Sequence, residues 1–165
     1  MGTFYWEEQW ADILAEQEHQ LCYPEFTRKT ALDLGMEILR LAQESYGKSA
    51  AIRIVEDGTT IFAYKMEGTS SENDWWMDKK LSVSRMTGMS SLRSYVEAQT
   101  GHLCPKWEER PNNFASCGGC FPVFLTNGQQ PWAYVLVSGM EHHEDHQIIA
   151  DAMASQLGKT IRRIL

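Results

Sequence analysis

The sequence predicts an α+β domain in which one antiparallel sheet is covered by helices. Three observations carry this. Two hairpin patterns with turn dipeptides Asp57-Gly58 and Asn127-Gly128 interrupt the chain, stretches of helical spacing flank them, and no βαβ alternation appears.

The elements follow in order. Phe4 to Leu21 carries Trp6, Trp10, Ile13, Leu14 and Leu21 at helical spacing, and Pro24 closes it, which predicts an amphipathic first helix. Thr27 is a candidate N-cap for a second helix with Leu34, Ile38 and Leu41 on one stripe, stopped by Gly47. The period then changes to two: Ala50 to Val55 and Thr60 to Tyr64 are expected to form a tight hairpin. Ser71, followed by Glu72 and Asp74, is expected to cap a third helix running to Met86, and Ser90 to cap a short fourth one ended by Gly101. Cys104 to Cys117, with Pro105, Pro111, Asn112 and Asn113, reads as a loop. A second hairpin, Phe121 to Leu125 and Trp132 to Val137, ends in a nearly continuous apolar run that suits a central strand. Glu144 to Ile164 is expected to be the last helix, with Ile149, Met153, Leu157 and Ile161 at helical spacing.

Composition narrows the function classes. A chain of 165 residues that is 43% hydrophobic can bury one real core. The formal charge of −7 and the scattered basic residues lack the stripe that phosphate backbones require, so nucleic acid is not an expected partner. No apolar run approaches the roughly 20 residues of a membrane span. Met1 to Trp10 has neither a basic nor an apolar signal region, so a cytoplasmic protein with reduced cysteines is expected.

Three stretches then resemble the haem-degrading-domain (GlcG-like) family, in its uncharacterised-protein branch. They are Ala51–Gly58 leading to Met66-Glu67-Gly68, Asn73–Lys80 leading to Ser90-Ser91, and Gly118–Val123 leading to Val137-Ser138-Gly139 and Glu144-Asp145-His146. The likeness runs from Thr27 to Leu157, so residues 1–26 are expected to be a helical extension of a domain over 27–165. The resemblance implies a profilin-like three-layer fold, a homo-oligomer, and either haem or another small planar or anionic ligand.

Candidate sites follow from residue chemistry. Trp76 and Lys80, four residues apart on a helix, could stack a planar ligand and hold its carboxylate or phosphate; the alternative is one core Trp and a solvated Lys. Gly118, Gly119, Ser138 and Gly139 sit at strand edges where a ligand or another backbone could approach closely. Ser90 and Ser91 join them through the resemblance. His143, Asp145 and His146 form a candidate metal or haem cluster at a helix start, in a run Glu141–His146 that also offers His142 and His146 at i, i+4; Asp145 could instead satisfy the helix N–H groups. Cys117-Gly118-Gly119-Cys120 has CxxC spacing but precedes a strand, so it is expected to be neither a disulfide nor a zinc pair. The expected pocket lies where the last helix starts beside Ser138-Gly139, close to Lys80. Three functions stay open: a ligand-binding homo-oligomer, an oligomeric scaffold, and a haem-degrading or metal-dependent enzyme using His143 and His146.

Overall fold

The computed structural model describes residues 4–110 and 112–165. Pro111, part of the expected loop, and Met1, Gly2 and Thr3 lie outside the described residues. The elements are α1 (Trp10–Gln20), α2 (Arg28–Leu41), β1 (Ala51–Glu56), β2 (Thr59–Lys65), α3 (Ser71–Thr87), α4 (Ser91–Gln99), β3 (Cys120–Val123), β4 (Ala133–Ser138) and α5 (His142–Leu157). A π-helical turn, Ala42–Tyr46, extends α2, and a 3₁₀ turn, Lys106–Glu109, lies in the long loop.

The sheet has the order β2-β1-β4-β3 and is antiparallel throughout. Alternation along β1 decides the layers. Ile52 and Ile54 face a core shared with α2 and α5, including Leu34, Ile38, Ile148 and Met153. Ala51 and Val55 face Met77 and Leu81 of α3. This is the expected three-layer α+β arrangement. A third cluster joins α1 to α4 through Trp10, Leu14, Leu92 and Val96.

The first hairpin is as tight as its sequence requires: Asp57 (φ 51°) and Gly58 (φ 70°) both take the left-handed conformation. Thr27 caps α2 by accepting the Thr30 N–H at 3.1 Å, and Gly47 closes the helical run with φ 64°.

Four boundaries differ from the sequence reading. The first helix begins at Trp10, because Phe4 and Trp6 pack against the α1–α4 cluster from a non-helical approach. Ser70, not Ser71, caps α3. The second hairpin is not tight: β3 ends at Val123, and residues 124–132 wander before β4, although Gly128 does make a turn back to Leu125. β3 is an edge strand, which is where Pro122 can be tolerated. Finally, α5 stops at Leu157 because Gly158 turns left-handed (φ 67°). The tail beyond it has no regular secondary structure, with the Ile164 N–H donated to Gln147 Oε1 at 3.0 Å.

Candidate functional site

A cavity of about 190 Å³ opens at the end of β4, between α3 and the first turn of α5. Chain direction creates it. β4 ends at Ser138, Gly139 turns at φ 145°, and α5 starts three residues later. A Cβ on Gly139 would lie 2.7 Å from the Ser49 carbonyl oxygen.

Lys80 of α3 reaches this corner. It is 2% exposed, and its Nζ donates to the Val137 carbonyl at 2.9 Å and to Asp145 Oδ2 at 3.2 Å. The other Asp145 oxygen accepts the Met140 N–H at 3.0 Å, so this carboxylate ties down the strand-to-helix turn rather than the helix's own first N–H groups. Burial raises the Asp145 pKa to about 6, outweighing the attraction of Lys80.

His142 forms the opposite wall. Its Nδ1 accepts the Gly118 N–H at 3.1 Å, which requires the proton on Nε2; that N–H donates to the Tyr5 carbonyl at 2.6 Å. Burial pushes its pKa down to about 4, so the ring is neutral. Phe4 stacks on it with 4.9 Å between ring centroids. Trp76, Cys117, Ser138, Met140 and Glu141 complete the lining. Burial lifts the Cys117 thiol to about 11, and it remains protonated.

Of the residues singled out in the sequence, Trp76, Lys80, Cys117, Ser138 and Asp145 therefore meet at one cavity. The others serve the fold. Gly118 and Gly119 admit the protein's own atoms rather than a ligand: a Cβ would fall 2.0 Å from the His142 carbonyl at Gly118, and 2.5 Å from Lys80 Nζ at Gly119. Ser90 caps α4 and donates to the buried Glu18, and Ser91 Oγ accepts the Cys120 N–H at 3.0 Å. Burial raises Glu18 to about 7.

The metal cluster is not assembled. Among the described residues no three His, Cys, Asp or Glu side chains converge on a point where an ion could sit. His146 is wholly buried, donates Nε2–H to Gln17 Oε1 at 2.8 Å, and has its pKa pushed down to about 3 by burial. The His143 ring packs on Tyr5 and Trp10. Neither adjacent Trp is a core residue: Trp75 is 45% exposed under the Lys79 ammonium, and Trp76 is half-buried on the cavity wall. Cys117 and Cys120 are free thiols.

The reading by residue type missed Met140 and Phe4, and it offered His142 only as a ligand partner of His146, whereas His142 alone of the two lines the cavity. His142 shares a helix face with His146, so only the seating of α5 on the sheet decides which imidazole reaches the opening. Met140 carries no sequence signal, and Phe4 reaches the cavity through the non-helical approach to α1.

A UPF0303 protein of Yersinia pseudotuberculosis serotype O:3 is 31% identical over 152 residues, covering 90% of this chain and 88% of the relative. The crystal structure of Ybr137w protein superposes with a TM-score of 0.75 at 25% identity, covering 88% of this chain and 86% of that one. A PduOC:haem complex superposes with a TM-score of 0.63 at 17% identity, covering 76% and 90%, a likeness of fold. The family described as haem degrading protein, HbpS-like, matches residues 26–154. With the three-layer fold and the extent of that match, the chain belongs to the HbpS-like haem-degrading protein family.

Proposed function

We propose that this protein is a homo-oligomeric binding protein whose cavity beside Lys80 takes one small planar molecule bearing an acceptor oxygen, such as a carboxylate. The observation that carries this is the donor count at Lys80. A buried ammonium has three N–H donors; Val137 and Asp145 engage two, which leaves one at the cavity wall. Asp145 already balances the charge, so Lys80 offers a directed donor rather than a net positive field. Trp76 and Phe4 supply flat apolar walls.

Haem is the group the family name suggests, and the PduOC relative holds one. The residues here do not fit a whole haem in this cavity. Its volume of about 190 Å³ falls below the roughly 300–1,000 Å³ typical of pockets that enclose larger ligands. Both His142 nitrogens are engaged, so no free imidazole faces the opening. A cavity of roughly 150 Å³ is known to hold a benzene ring, which sets the scale of the ligand.

Benzoate is a suitable probe. Calorimetry should show binding that Trp76→Ala weakens at least about tenfold with the melting temperature retained. Unchanged affinity in that variant would overturn the assignment of the cavity. Haemin titration should give no Soret shift attributable to this chain alone.

Self-association is supported by Leu32 and Met36, one turn apart on α2 and 47% and 51% exposed. Light scattering tests it, and a mass of 18.9 kDa would refute it.

A further inference from the structure

A second hollow lies at the opposite end of the sheet, where the β1–β2 turn meets the start of β4. Its volume is about 460 Å³, within the range of pockets that enclose small organic ligands. An adjoining hollow of about 400 Å³ shares Arg85, Pro131 and Tyr134 with it, so the two form one groove centred on Arg85 and Tyr134.

The side chains there are arranged and not merely exposed. Trp132 is 48% exposed, yet its indole N–H donates to Glu56 Oε1 at 2.9 Å, which fixes the ring. Glu56 is held in turn by Arg28, whose Nε lies 3.0 Å from its other oxygen. Arg28 is thereby neutralised. Arg85 is different: among the described residues no carboxylate lies within 4.0 Å of it, and its guanidinium sits 5.9 Å from the Tyr134 ring centroid. It presents a planar fork of donors beside two aromatic faces, which suits a flat anionic group bound in two-point fashion.

We propose that this groove binds a planar aromatic acid, with its ring against Trp132 and Tyr134 and its anionic group on Arg85. Charge limits the ligand further. Arg28 is taken by Glu56, and Arg85 has no such partner among the described residues, so one anionic group finds a cation; a second finds none and meets Glu56 and Asp57 along the lining. The ligand class is an aromatic monoanion of one or two fused rings, and the site is independent of the cavity beside Lys80.

Naphthalene-2-sulfonate tests it, with neutral 2-naphthol as control. In ¹H–¹⁵N spectra, the Trp132 indole N–H, assigned through Trp132→Phe, should shift on addition of the sulfonate. Arg85→Gln should weaken the sulfonate at least about tenfold and leave 2-naphthol unchanged, while Trp132→Ala should weaken both. Arg85 and Trp132 are exposed, so both variants should melt as wild type does. Failure of the sulfonate to bind at about 1 mM, or equal affinity in Arg85→Gln, overturns the proposal. So does loss of sulfonate binding in Trp76→Ala, which would put the probe in the other cavity. Protection of Trp132 from acrylamide quenching in the free protein would show the face covered by another copy, and would also overturn it.

Discussion

Helix α3 carries two ion-pair systems that differ in nearly everything except their chemistry. Near its start, Asp74 and Asp78 meet Arg53 of β1 at 3.0 and 2.5 Å, and Asp74 also meets Lys65 of β2; the carboxylates are 40% and 64% exposed. Two residues past Asp78, Lys80 meets Asp145 with the side chains only 3% and 4% exposed. The exposed network lowers the Asp74 pKa, chiefly through its hydrogen bond from Lys65. The buried pair leaves Asp145 raised, because lost hydration outweighs one neighbouring cation. A surface pair is a small favourable addition; a buried pair at a cavity is expensive to keep and more expensive to break.

The largest expected effect tests that contrast. Lys80→Met or Asp145→Leu alone leaves one buried charge without its partner and should cost about 3–5 kcal/mol in denaturant unfolding. The double variant Lys80→Met with Asp145→Leu should recover most of that loss, because apolar groups of similar volume replace both charges. If the double variant is as unstable as the sum of the singles, the pair stabilises the fold outright and the comparison fails.

Gly119→Ala should come next. The backbone there has φ 129°, and the new Cβ would sit 2.4 Å from the Val137 carbonyl oxygen and 2.5 Å from Lys80 Nζ. Strain alone costs about 1–3 kcal/mol, and the Lys80 hydrogen bonds must shift as well. A thermal melt within experimental error of wild type would show that the turn yields, and that the glycine is not what holds Lys80 in place.

These effects show which parts of the site were legible. Asp57-Gly58 announced its hairpin because only a few residue pairs tolerate two left-handed positions in succession. Trp76 and Lys80 were legible as a pair because four-residue spacing puts them on one helix face. Gly118 and Gly119 were legible as places of close approach, but sequence cannot say what approaches; here it is the α5 backbone and Lys80. The last helix was read too long because Ile161 continues the apolar period, whereas Gly158 turns the chain and Ile161 packs from a non-helical tail. His143 and His146 attracted attention by residue type, yet long-range packing against Tyr5, Trp10, Phe121 and Gln17 disposes of them, and no local pattern encodes those partners.

The two systems should also respond to pH in opposite directions. Asp145 has a folded pKa of about 6 against a reference of 3.8, so the folded state holds that proton more tightly. Its contribution is full below the reference value and is lost as pH rises through about 6. Asp74 has a lowered folded pKa, so its contribution is present above the reference value and lost as pH falls through the folded one. The neutral His142 and His146, with folded values of about 4 and about 3, titrate in the same acid range, so a wild-type curve alone cannot separate the terms. The difference between wild type and Asp145→Asn should fall from pH 4 to 6, and the difference between wild type and Asp74→Asn should rise as pH climbs toward 3.8 and level off above it. Parallel slopes would show that the two carboxylates share one environment.

Arg53→Met should have the smallest effect and is the sharpest control. Arg53 lies on a central strand with its side chain 15% exposed, so its methylenes pack while its guanidinium reaches two solvated carboxylates. Methionine preserves the packing stem and removes only the charge. Exposed pairs contribute about 0.2–1 kcal/mol each, and both carboxylates here keep water, with Asp74 keeping Lys65 as well. The loss should therefore be about 1 kcal/mol in low salt and shrink toward zero in 1 M salt, where charges are screened beyond about 3 Å. The Lys80 variants should show no comparable salt dependence, because ions do not enter the space between the buried partners. A salt-insensitive loss at Arg53 would mean that the guanidinium is held as firmly as the buried ammonium, and that the two halves of α3 differ in exposure without differing in energetics.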